Sequence, residues 1–305
     1  MNTDIQVVRP TGALIPQQAS SDEGMIALWL EQYRPDPDTT TNTFKAYAAD
    51  IRAFRAFCAT PLRAVIVQDL NGFAATLASL ADSTRCRRLS AVKSLFAFAH
   101  RLGYVAFDVG AAIRLPAIKD TLAERIMTEE QVQRLLWAAD APQRRGPFFK
   151  RNAALLRLLY SAGVRISEAC SLRWRDLAER TDAGQITVFG KGGKTRMILL
   201  PVSMWKRLVE LRGEADADDP VFRSRKGGAL TRCQVHDIVK RAARRAGMPP
   251  GFSAHWFRHA HASHALDRGC PVHVLQATLG HASLTTTTRY SHAKPGDSSA
   301  RYLIA

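Results

Sequence analysis

The sequence predicts a mainly α-helical protein with one small β-sheet, divided into two domains. Along most of the chain, apolar residues recur at three- and four-residue steps, which is typical of amphipathic helices. Between residues 184 and 200 the pattern changes to two segments rich in β-branched residues around a Gly-rich turn, which is typical of a β-hairpin. Positive charge is concentrated after residue 120, which indicates two regions with different surfaces.

Composition indicates a folded protein outside the membrane. The 305 residues are 46% hydrophobic and 23% charged, enough to bury a sizeable core in one large domain or two ordinary ones. The apolar stretches, such as residues 153–160, are too short to span a bilayer. The first twenty residues lack a cationic start followed by an apolar run, so we expect a cytoplasmic protein.

The five cysteines predict neither disulfides nor a zinc site. They are odd in number, widely separated and never paired at metal-ligand spacing (Cys58, Cys86, Cys170, Cys233 and Cys270). We expect them to be ordinary small core or surface residues.

The net charge of +16 indicates a polyanionic partner, for which DNA or RNA is the usual candidate. Residues 1–120 carry 13 Lys and Arg against 11 Asp and Glu, whereas residues 121–305 carry 30 against 16. The basic surface therefore belongs to the second part of the chain. A solvated cationic surface with no partner is the alternative, because charge alone carries no specificity.

The first part of the chain predicts an N-terminal arm over residues 1–20 and a helical domain over residues 21–114. Four helices are expected, over residues 23–33, 41–58, 68–80 and 84–102. The last of these carries basic side chains near its start and apolar ones later. The basic side chains are candidates for contact with DNA, or else form a solvated face: Arg85, Arg87, Arg88 and Lys93.

A Pro-containing, weakly periodic stretch predicts a linker over residues 115–126, followed by a second domain over residues 127–305. This domain begins with a helix capped by Thr128, and it contains the hairpin strands 185–190 and 196–201. Its other helices are expected over residues 152–162, 203–212, 231–246, 255–267, 272–279 and 284–291.

Basic and nucleophilic residues follow one another in an ordered set of motifs. The sequence contains no Walker loop, dinucleotide fingerprint, HExxH motif or serine nucleophile elbow. It contains instead AGVRISE with Arg165, GKGGKTR with Lys191, HWFRH with His255 and Arg258, LGH with His281, and TTTTRY with Tyr290. Each motif alone is weak, but their order and spacing together are specific.

These motifs resemble those of the tyrosine recombinase, or phage integrase, family, which includes Xer-like site-specific recombinases and transposon integrases. The resemblance covers residues 127–292 and, more loosely, the N-terminal helices. It implies a four-helix-type DNA-binding domain of the SAM-like class followed by a tyrosine recombinase catalytic domain. It also implies that Tyr290 attacks a DNA phosphate, giving a 3′-phosphotyrosyl link and a free 5′-hydroxyl without ATP, metal or other cofactor.

The resemblance also implies roles for the basic residues around the phosphate. Arg165 and Arg258 would bind its non-bridging oxygens, because guanidinium groups meet such oxygens bidentately. His255, one helical turn before Arg258, would act as general base or phosphate donor, and His281 as a second donor to the transition state. Lys191 would protonate the leaving 5′-oxygen.

For several further residues, two interpretations stay open. Lys194 is the alternative general acid and, with Arg196, a candidate DNA contact on the hairpin. Glu168 matches the acidic position of the family and would orient the basic groups, or else form a surface salt bridge. Two histidines of the α-helix over 255–267 share one face, so a metal site is a weak alternative for the cluster of His255, His259, His261 and His264.

The resemblance predicts a site-specific DNA recombinase acting in integration, excision or resolution. Its partner would be double-stranded DNA, bound by a homo-tetramer on two sites, alone or with a second related recombinase, in the nucleoid. Two alternatives stay open: a DNA-relaxing enzyme of the type IB topoisomerase kind, and a DNA-binding accessory protein without catalysis.

Overall fold

The computed structural model describes residues 20–34, 41–118, 122–140, 148–181, 183–190, 195–281, 283, 287–288 and 290. The described chain divides into two compact units between residues 119 and 120. This division falls within the stretch interpreted as a linker, and the domain limits themselves stay a prediction. The mainly α-helical class with one small sheet is confirmed.

The described part of the first unit contains four α-helices. They are α1 (Asp22–Glu31), α2 (Asn42–Phe57), α3 (Val67–Thr76) and α4 (Asp82–Arg101). Their apolar faces meet around Phe54, whose ring lies 5.2 Å from that of Phe73 and 6.1 Å from that of Phe96, both edge to face. Such aromatic contacts add to the burial of apolar area that stabilises a small bundle.

Hydroxyl caps determine where the first two helices begin. Ser21 accepts a hydrogen bond from the backbone N–H of Gly24, and Thr41 accepts one from Phe44. Each cap satisfies a backbone donor that has no partner within the helix. The hydroxyl of Thr41 also donates to the carbonyl of Tyr33, which ties the end of the α1 segment to the start of α2.

Three of the four helices predicted in this unit have bounds within two residues of those observed. The exception is α3, which ends at Thr76 although the pattern continues to residue 80. Leu77 is buried, and turns at residues 77–79 replace the helix, so its packing against the core ends the helix despite good local propensity.

The second unit contains seven described α-helices and three strands. They are α5 (Glu129–Asp140), α6 (Phe149–Ser161), α7 (Ile166–Ser171), β1 (Leu177–Glu179), β2 (Gly184–Phe189), β3 (Thr195–Leu200), α8 (Val202–Arg212), α9 (Arg232–Arg245), α10 (His255–Asp267) and α11 (Val272–Leu279). The short elements α7 and β1 were not predicted. The expected helix over 284–291 lies largely outside the described residues.

The three strands form one antiparallel sheet in the order β1-β2-β3. Ile186 of β2 pairs with Ile198 of β3, and both side chains are buried. Gly184 begins β2 directly against Trp205 of α8, and a Cβ at this position would lie 2.1 Å from the indole ring. The glycine therefore allows α8 to pack on the sheet.

Helix α6 lies at the centre of the second unit. Its apolar residues are almost fully buried (Leu155, Leu156, Leu158 and Leu159), and it packs against α5, α8 and α10. Gly163 follows α6 with a positive φ of 58°, and a side chain there would collide with the ring of His261. This turn directs the chain straight to Arg165, the first residue of the site.

Candidate active site

Arg165 lies at the N-terminal end of α7. Its backbone N–H donates to Oε2 of Glu168 at 2.8 Å, and its guanidinium Nη1 donates to Oε1 of the same carboxylate at 2.9 Å. Glu168 therefore caps the first turn of α7 and fixes the arginine side chain at the same time. The side chain of Arg165 is 37% exposed, so part of it faces solvent.

Glu168 is buried, with 4% of its surface exposed, and it accepts from two arginines. Nη1 and Nη2 of Arg196 each donate to one of its oxygens at 2.9 Å, a bidentate arrangement. Burial alone would raise the pKa of Glu168, but the hydrogen bonds and charges of Arg196 and Arg165 outweigh burial and lower it. The carboxylate is therefore ionised at neutral pH, and the surface salt bridge considered as an alternative does not describe it.

Arg196 of β3 joins three elements of the second unit. Besides Glu168, it binds the carbonyl of Thr278 near the end of α11, to which its Nε donates at 2.6 Å. Its side chain is 11% exposed, so the guanidinium faces the protein. These contacts differ from the DNA contact expected for Arg196, which stays a prediction.

Arg258 of α10 is buried and held by two backbone carbonyls. Its Nη1 donates to Gly163 at 2.7 Å and its Nη2 to Leu279 at 2.6 Å. Burial and the nearby charge of Arg165 lower the pKa of Arg258 to about 10, so the guanidinium stays charged at neutral pH. The carbonyls orient the cation without neutralising it.

His255 is the first residue of α10, one turn before Arg258, and is exposed. Partial desolvation by the surrounding protein, together with the charges of Arg258 and Arg165, lowers the pKa of His255. Its imidazole is therefore neutral at pH 7 and has one nitrogen free of a proton.

His281 follows α11 directly after Gly280, which ends the helix in the left-handed conformation with φ of 64°. A side chain at Gly280 would lie 3.1 Å from the guanidinium of Arg196, so the glycine allows this close approach. Nδ1 of His281 hydrogen-bonds Oγ1 of Thr287 at 2.9 Å. Burial, with the charges of Arg258 and other nearby arginines, lowers the pKa of His281 to about 4, which keeps it neutral at pH 7.

Tyr290 is 8% exposed, and its phenolic oxygen lies inside the site. The oxygen is 2.8 Å from Nδ1 of His259, and the ring lies nearly parallel to that of His281 with centroids 6.4 Å apart. The tyrosine packs in a small apolar cluster with Leu275 and Leu279 of α11. Its hydroxyl thus lies against the imidazole of His259, and the tyrosine also perturbs the pKa of Arg258.

The structure brings together most of the residues predicted from the sequence. Arg165, Glu168, Arg258, His281 and Tyr290 form one continuous site, because Arg165, Glu168 and Tyr290 all perturb the pKa of Arg258 and Tyr290 packs along His281. Lys191 and Lys194 lie outside the described residues. The catalytic roles of this set stay predictions.

Two site contacts were missed by sequence reasoning. The contact of His259 with Tyr290 was not predicted, although His259 lies four residues after His255 on the same helix face, which is a usable signal. The bidentate pairing of Arg196 with Glu168 joins residues 28 positions apart and has no local signal.

The metal alternative for the histidine cluster finds no support in the geometry. Nδ1 of His261 contacts the carbonyl of Tyr160 at 2.8 Å, while His264 lies between the hydroxyl of Tyr160 and the carbonyl of Met127. Both rings are therefore used in packing α10 against neighbouring segments. In the part of the chain that the structure describes, no three His, Cys, Asp or Glu side chains are grouped to hold a metal ion.

The basic residues of α4 all contact protein groups of their own unit. Asp50, which is 2% exposed, pairs with Arg87 and with Arg88 at 3.7 Å. Arg85 pairs with Asp82 at 3.0 Å. Lys93 donates to two backbone carbonyls in the segment after α4. Their expected contact with DNA stays a prediction.

None of the helices in the described ranges is both long and apolar enough to cross a membrane.

Comparisons with known proteins cover both units. Residues 125–296 match the model of the phage integrase family, and residues 26–103 match the phage integrase N-terminal SAM-like domain. Relatives include the tyrosine recombinase XerD of Mycobacterium tuberculosis, 32% identical over 86% of this chain and 91% of that protein. The tyrosine recombinase XerC of Xanthomonas axonopodis pv. citri is 31% identical over 95% of this chain and 90% of that protein.

Solved structures with the same fold include two recombination enzymes bound to DNA. The XerH site-specific recombinase with its difH substrate has a TM-score of 0.72 at 22% identity, covering 91% of this chain and 83% of that chain. The Tn1549 transposon integrase with circular intermediate DNA has a TM-score of 0.74 at 17% identity, covering 92% of this chain and 99% of that chain. With its family match over more than half its length and its relatives above 30% identity, the chain belongs to the phage integrase family of tyrosine recombinases.

Proposed function

We propose that this protein is a site-specific DNA recombinase that cleaves and rejoins DNA strands through a covalent link to Tyr290. The observation that carries the proposal is the position of the Tyr290 hydroxyl, buried beside Arg258, His281 and His259 in one cationic site. A tyrosine in such a site is suited to attack a phosphate, because the negative charge that develops meets fixed positive charge.

The reaction exchanges one phosphoester for another. The phenolic oxygen of Tyr290 forms a bond to the phosphorus, and the bond from phosphorus to the 5′-oxygen breaks, which leaves a 3′-phosphotyrosyl link. The 5′-oxygen takes a proton from Lys191, or from Lys194 as the alternative. Attack of a 5′-hydroxyl on the link reverses these steps and rejoins a strand, so the bond energy is conserved.

The two arginines bind the phosphate oxygens. Arg258 has five N–H donors, and the carbonyls of Gly163 and Leu279 each take one, so donors of a charged group remain for the phosphate. Arg165 presents a partly exposed guanidinium that Glu168 orients. Losing a preorganised donor of this kind typically lowers a rate by about 10²–10³-fold.

The two histidines complete the transition-state contacts. His281 is neutral at pH 7 because of its low pKa, and a neutral imidazole donates from one nitrogen only. With Nδ1 facing the Thr287 hydroxyl, Nε2 of His281 is the nitrogen left for the phosphate. His255, at the exposed start of α10, would contact the phosphate as donor or base.

The proposed partner is double-stranded DNA, bound through the strongly basic second part of the chain. The N-terminal helices would hold the duplex by Arg85, Arg87, Arg88 and Lys93, and the hairpin by Lys194 and Arg196. Recombination of two sites requires four active protomers, so we propose a tetramer on two DNA sites, alone or with a second related recombinase. Such an enzyme acts in the cytoplasm, at the nucleoid.

The other two functions are less favoured. A DNA-relaxing enzyme of the type IB kind uses the same chemistry, but the relatives with broad coverage are named as recombinases. A silent DNA-binding protein has no need of a tyrosine hydroxyl placed against an imidazole and an arginine. Relaxation of supercoiled DNA without a specific site would favour the first alternative.

Trapping of the covalent intermediate tests the proposal. A nicked suicide substrate with the flanking host sequence is incubated with the protein, and denaturing gels are examined for a protein-DNA band. We expect the band with the wild type and none with Tyr290→Phe, which lacks only the hydroxyl. A band that survives this substitution would contradict the nucleophile assignment.

A further inference from the structure

We propose that His259 is a catalytic residue that accepts the phenolic proton of Tyr290, an inference that rests on the function proposed above. Its Nδ1 lies 2.8 Å from the phenolic oxygen, within the distance that direct proton transfer requires. The two rings are 5.8 Å apart with an angle of 39° between their planes. His259 therefore contacts the reacting atom itself.

The position of His259 follows from the anchoring of α10. The preceding residue, Arg258, is fixed by the carbonyls of Gly163 and Leu279, so the backbone at residue 259 has little freedom. Tyr290 is buried beside Leu275 and Leu279 on the other side of the contact. Both partners are held by packing, which is how a donor and an acceptor keep a productive distance.

The tautomer of His259 decides whether its Nδ1 can accept the phenolic proton. A neutral imidazole protonated on Nε2 has an unprotonated Nδ1, which accepts from the phenolic O–H. Burial and the charges of Arg258 and Arg165 lower the pKa of the neighbouring imidazoles of His255 and His281, so the two arginines create a positive field in this site. A bound phosphate brings negative charge, which offsets this field when the proton arrives.

The assignment separates the roles of two histidines on one helix face. The rings of His255 and His259 lie 6.3 Å apart, so one site accommodates both. His255, at the exposed start of α10, then serves the phosphate oxygens, and His259 serves the nucleophile. The general-base role considered for His255 from the sequence passes to His259.

The proton is accounted for at each step. The phenolic proton moves to Nδ1 of His259 as the phenolic oxygen forms its bond to phosphorus. In the same step the 5′-oxygen leaves and takes a proton from Lys191. In rejoining, the 5′-hydroxyl returns its proton to Lys191, and His259 returns its proton to the tyrosine as the phosphotyrosyl bond breaks. The enzyme ends in its starting protonation state.

The test is single-turnover cleavage by the full-length protein of two suicide substrates that differ in the leaving atom. One has the natural 5′-oxygen, and the other has a 5′-bridging sulfur, which leaves without a proton. We expect His259→Ala to slow cleavage of both substrates by about 10²–10⁴-fold, the range of general acid-base catalysis. We expect Lys191→Ala to slow only the oxygen substrate.

Two further variants and the addition of imidazole distinguish a loss of proton transfer from a loss of packing. His259→Gln keeps a polar side chain but cannot take a proton, so we expect it to be as slow as His259→Ala. Added imidazole should restore part of the cleavage by His259→Ala, whereas it does not repair a purely structural defect. His273→Ala removes an exposed histidine of α11 and should cleave like the wild type.

Each outcome decides a different claim. If the wild type forms no adduct with either substrate, the proposed function fails and not only the role of His259. If the wild type cleaves and His259→Ala or His259→Gln cleaves equally fast, or if sulfur restores the rate of His259→Ala, the proton-acceptor role is overturned. Slow cleavage by His259→Ala that imidazole leaves unchanged also overturns it.

Discussion

Arginines of the two units are held in opposite ways. On α4, Arg87 and Arg88 share the buried carboxylate of Asp50, so the positive charge is matched by a negative one. In the active site, the described contacts of Arg258 are two neutral carbonyls, and one carboxylate, Glu168, serves two other arginines. The first arrangement neutralises its cations, whereas the second orients them and leaves net positive charge in the site.

The pKa shifts of the two regions reflect this difference. Burial raises the pKa of Asp50, although Arg87 and Arg88 oppose the shift. In the active site, burial and neighbouring cations lower the pKa of Arg258 to about 10 and that of His281 to about 4. Excess positive charge in a partly desolvated site is costly without a ligand, and a bound anion relieves that cost.

Among the substitutions that test this comparison of arginines, the largest effect is expected from replacing Arg258, the cation held by carbonyls. Arg258→Gln keeps amide donors but loses the charge, and we expect single-turnover cleavage to fall by about 10²–10³-fold. Arg55→Gln on α2 is the matched control, because Arg55 pairs with Asp22 at 3.4 Å and is not among the proposed DNA contacts; its cleavage rate should stay within about threefold of the wild type. Equal losses in the two variants would contradict the distinction between them. Circular dichroism verifies that both variants fold.

A second effect concerns the carboxylate that serves two arginines. Arg196→Met leaves buried Glu168 with one arginine, and we expect a loss in the free energy of unfolding of about 3 kcal/mol, since a buried charge that loses a bidentate partner is costly. Adding Glu168→Gln removes that charge and should recover part of the loss. Urea unfolding of the two single variants and the double variant gives the coupling. Strict additivity would show that the pair acts as two independent residues.

A third effect concerns the pH dependence of stability, to which the buried His261 contributes. Burial lowers the pKa of His261 to about 4, from an ordinary value near 6.5, and its Nδ1 faces the carbonyl of Tyr160. Between these pH values the unfolded chain binds more protons, so stability is complete above about pH 6.5 and falls towards pH 4. We expect this group to lower the free energy of unfolding by roughly 1–3 kcal/mol between pH 7 and pH 4.

His261→Gln retains a donor for the Tyr160 carbonyl but does not titrate. Urea unfolding from pH 7 to pH 4 should therefore show a weaker pH dependence in this variant than in the wild type. Identical pH dependence would mean that His261 contributes nothing to acid sensitivity.

The smallest effect on stability is expected from replacing Asp50, whose charge is matched by those of Arg87 and Arg88. Asp50→Asn keeps an acceptor for Arg87 and Arg88, whose side chains are 40% and 31% exposed and thus partly hydrated. Because burial raises the pKa of Asp50, ionising this carboxyl is costly, and we expect its replacement to change stability by less than about 1 kcal/mol. Thermal unfolding measures the change. A loss of several kcal/mol would show that the ion pair is essential to α4.

Much of the fold follows from local pattern. The bounds of α10 and α11 agree with the apolar periodicity to the residue, and the hairpin strands follow from their β-branched residues and the Gly-rich turn between them. Six-residue α7 and three-residue β1 are too short to give a periodic signal. Strand β1 exists through its register with β2, as in the pairing of Leu177 with Ile186.

For the candidate site too, some features follow from the sequence and others do not. The ordered motifs identify Arg165, Arg258, His281 and Tyr290 as candidates, because residue type and spacing carry the signal. Their partners do not follow from the sequence. The carbonyls that hold Arg258 lie 95 and 21 residues away, and Tyr290 lies 31 residues from His259. Only the packing of α6, α10 and α11 decides which groups meet.

The attachment of DNA to one particular oxygen is the central claim, and mapping the adduct tests it most directly. The trapped complex is digested with nuclease and trypsin, and the nucleotide-bearing peptide is sequenced by mass spectrometry. We expect the modification on Tyr290, in the peptide that begins at this residue, with a 3′-phosphate link and a free 5′-hydroxyl on the released strand. A nucleotide on any other residue, or a 5′-phosphate link, would contradict it.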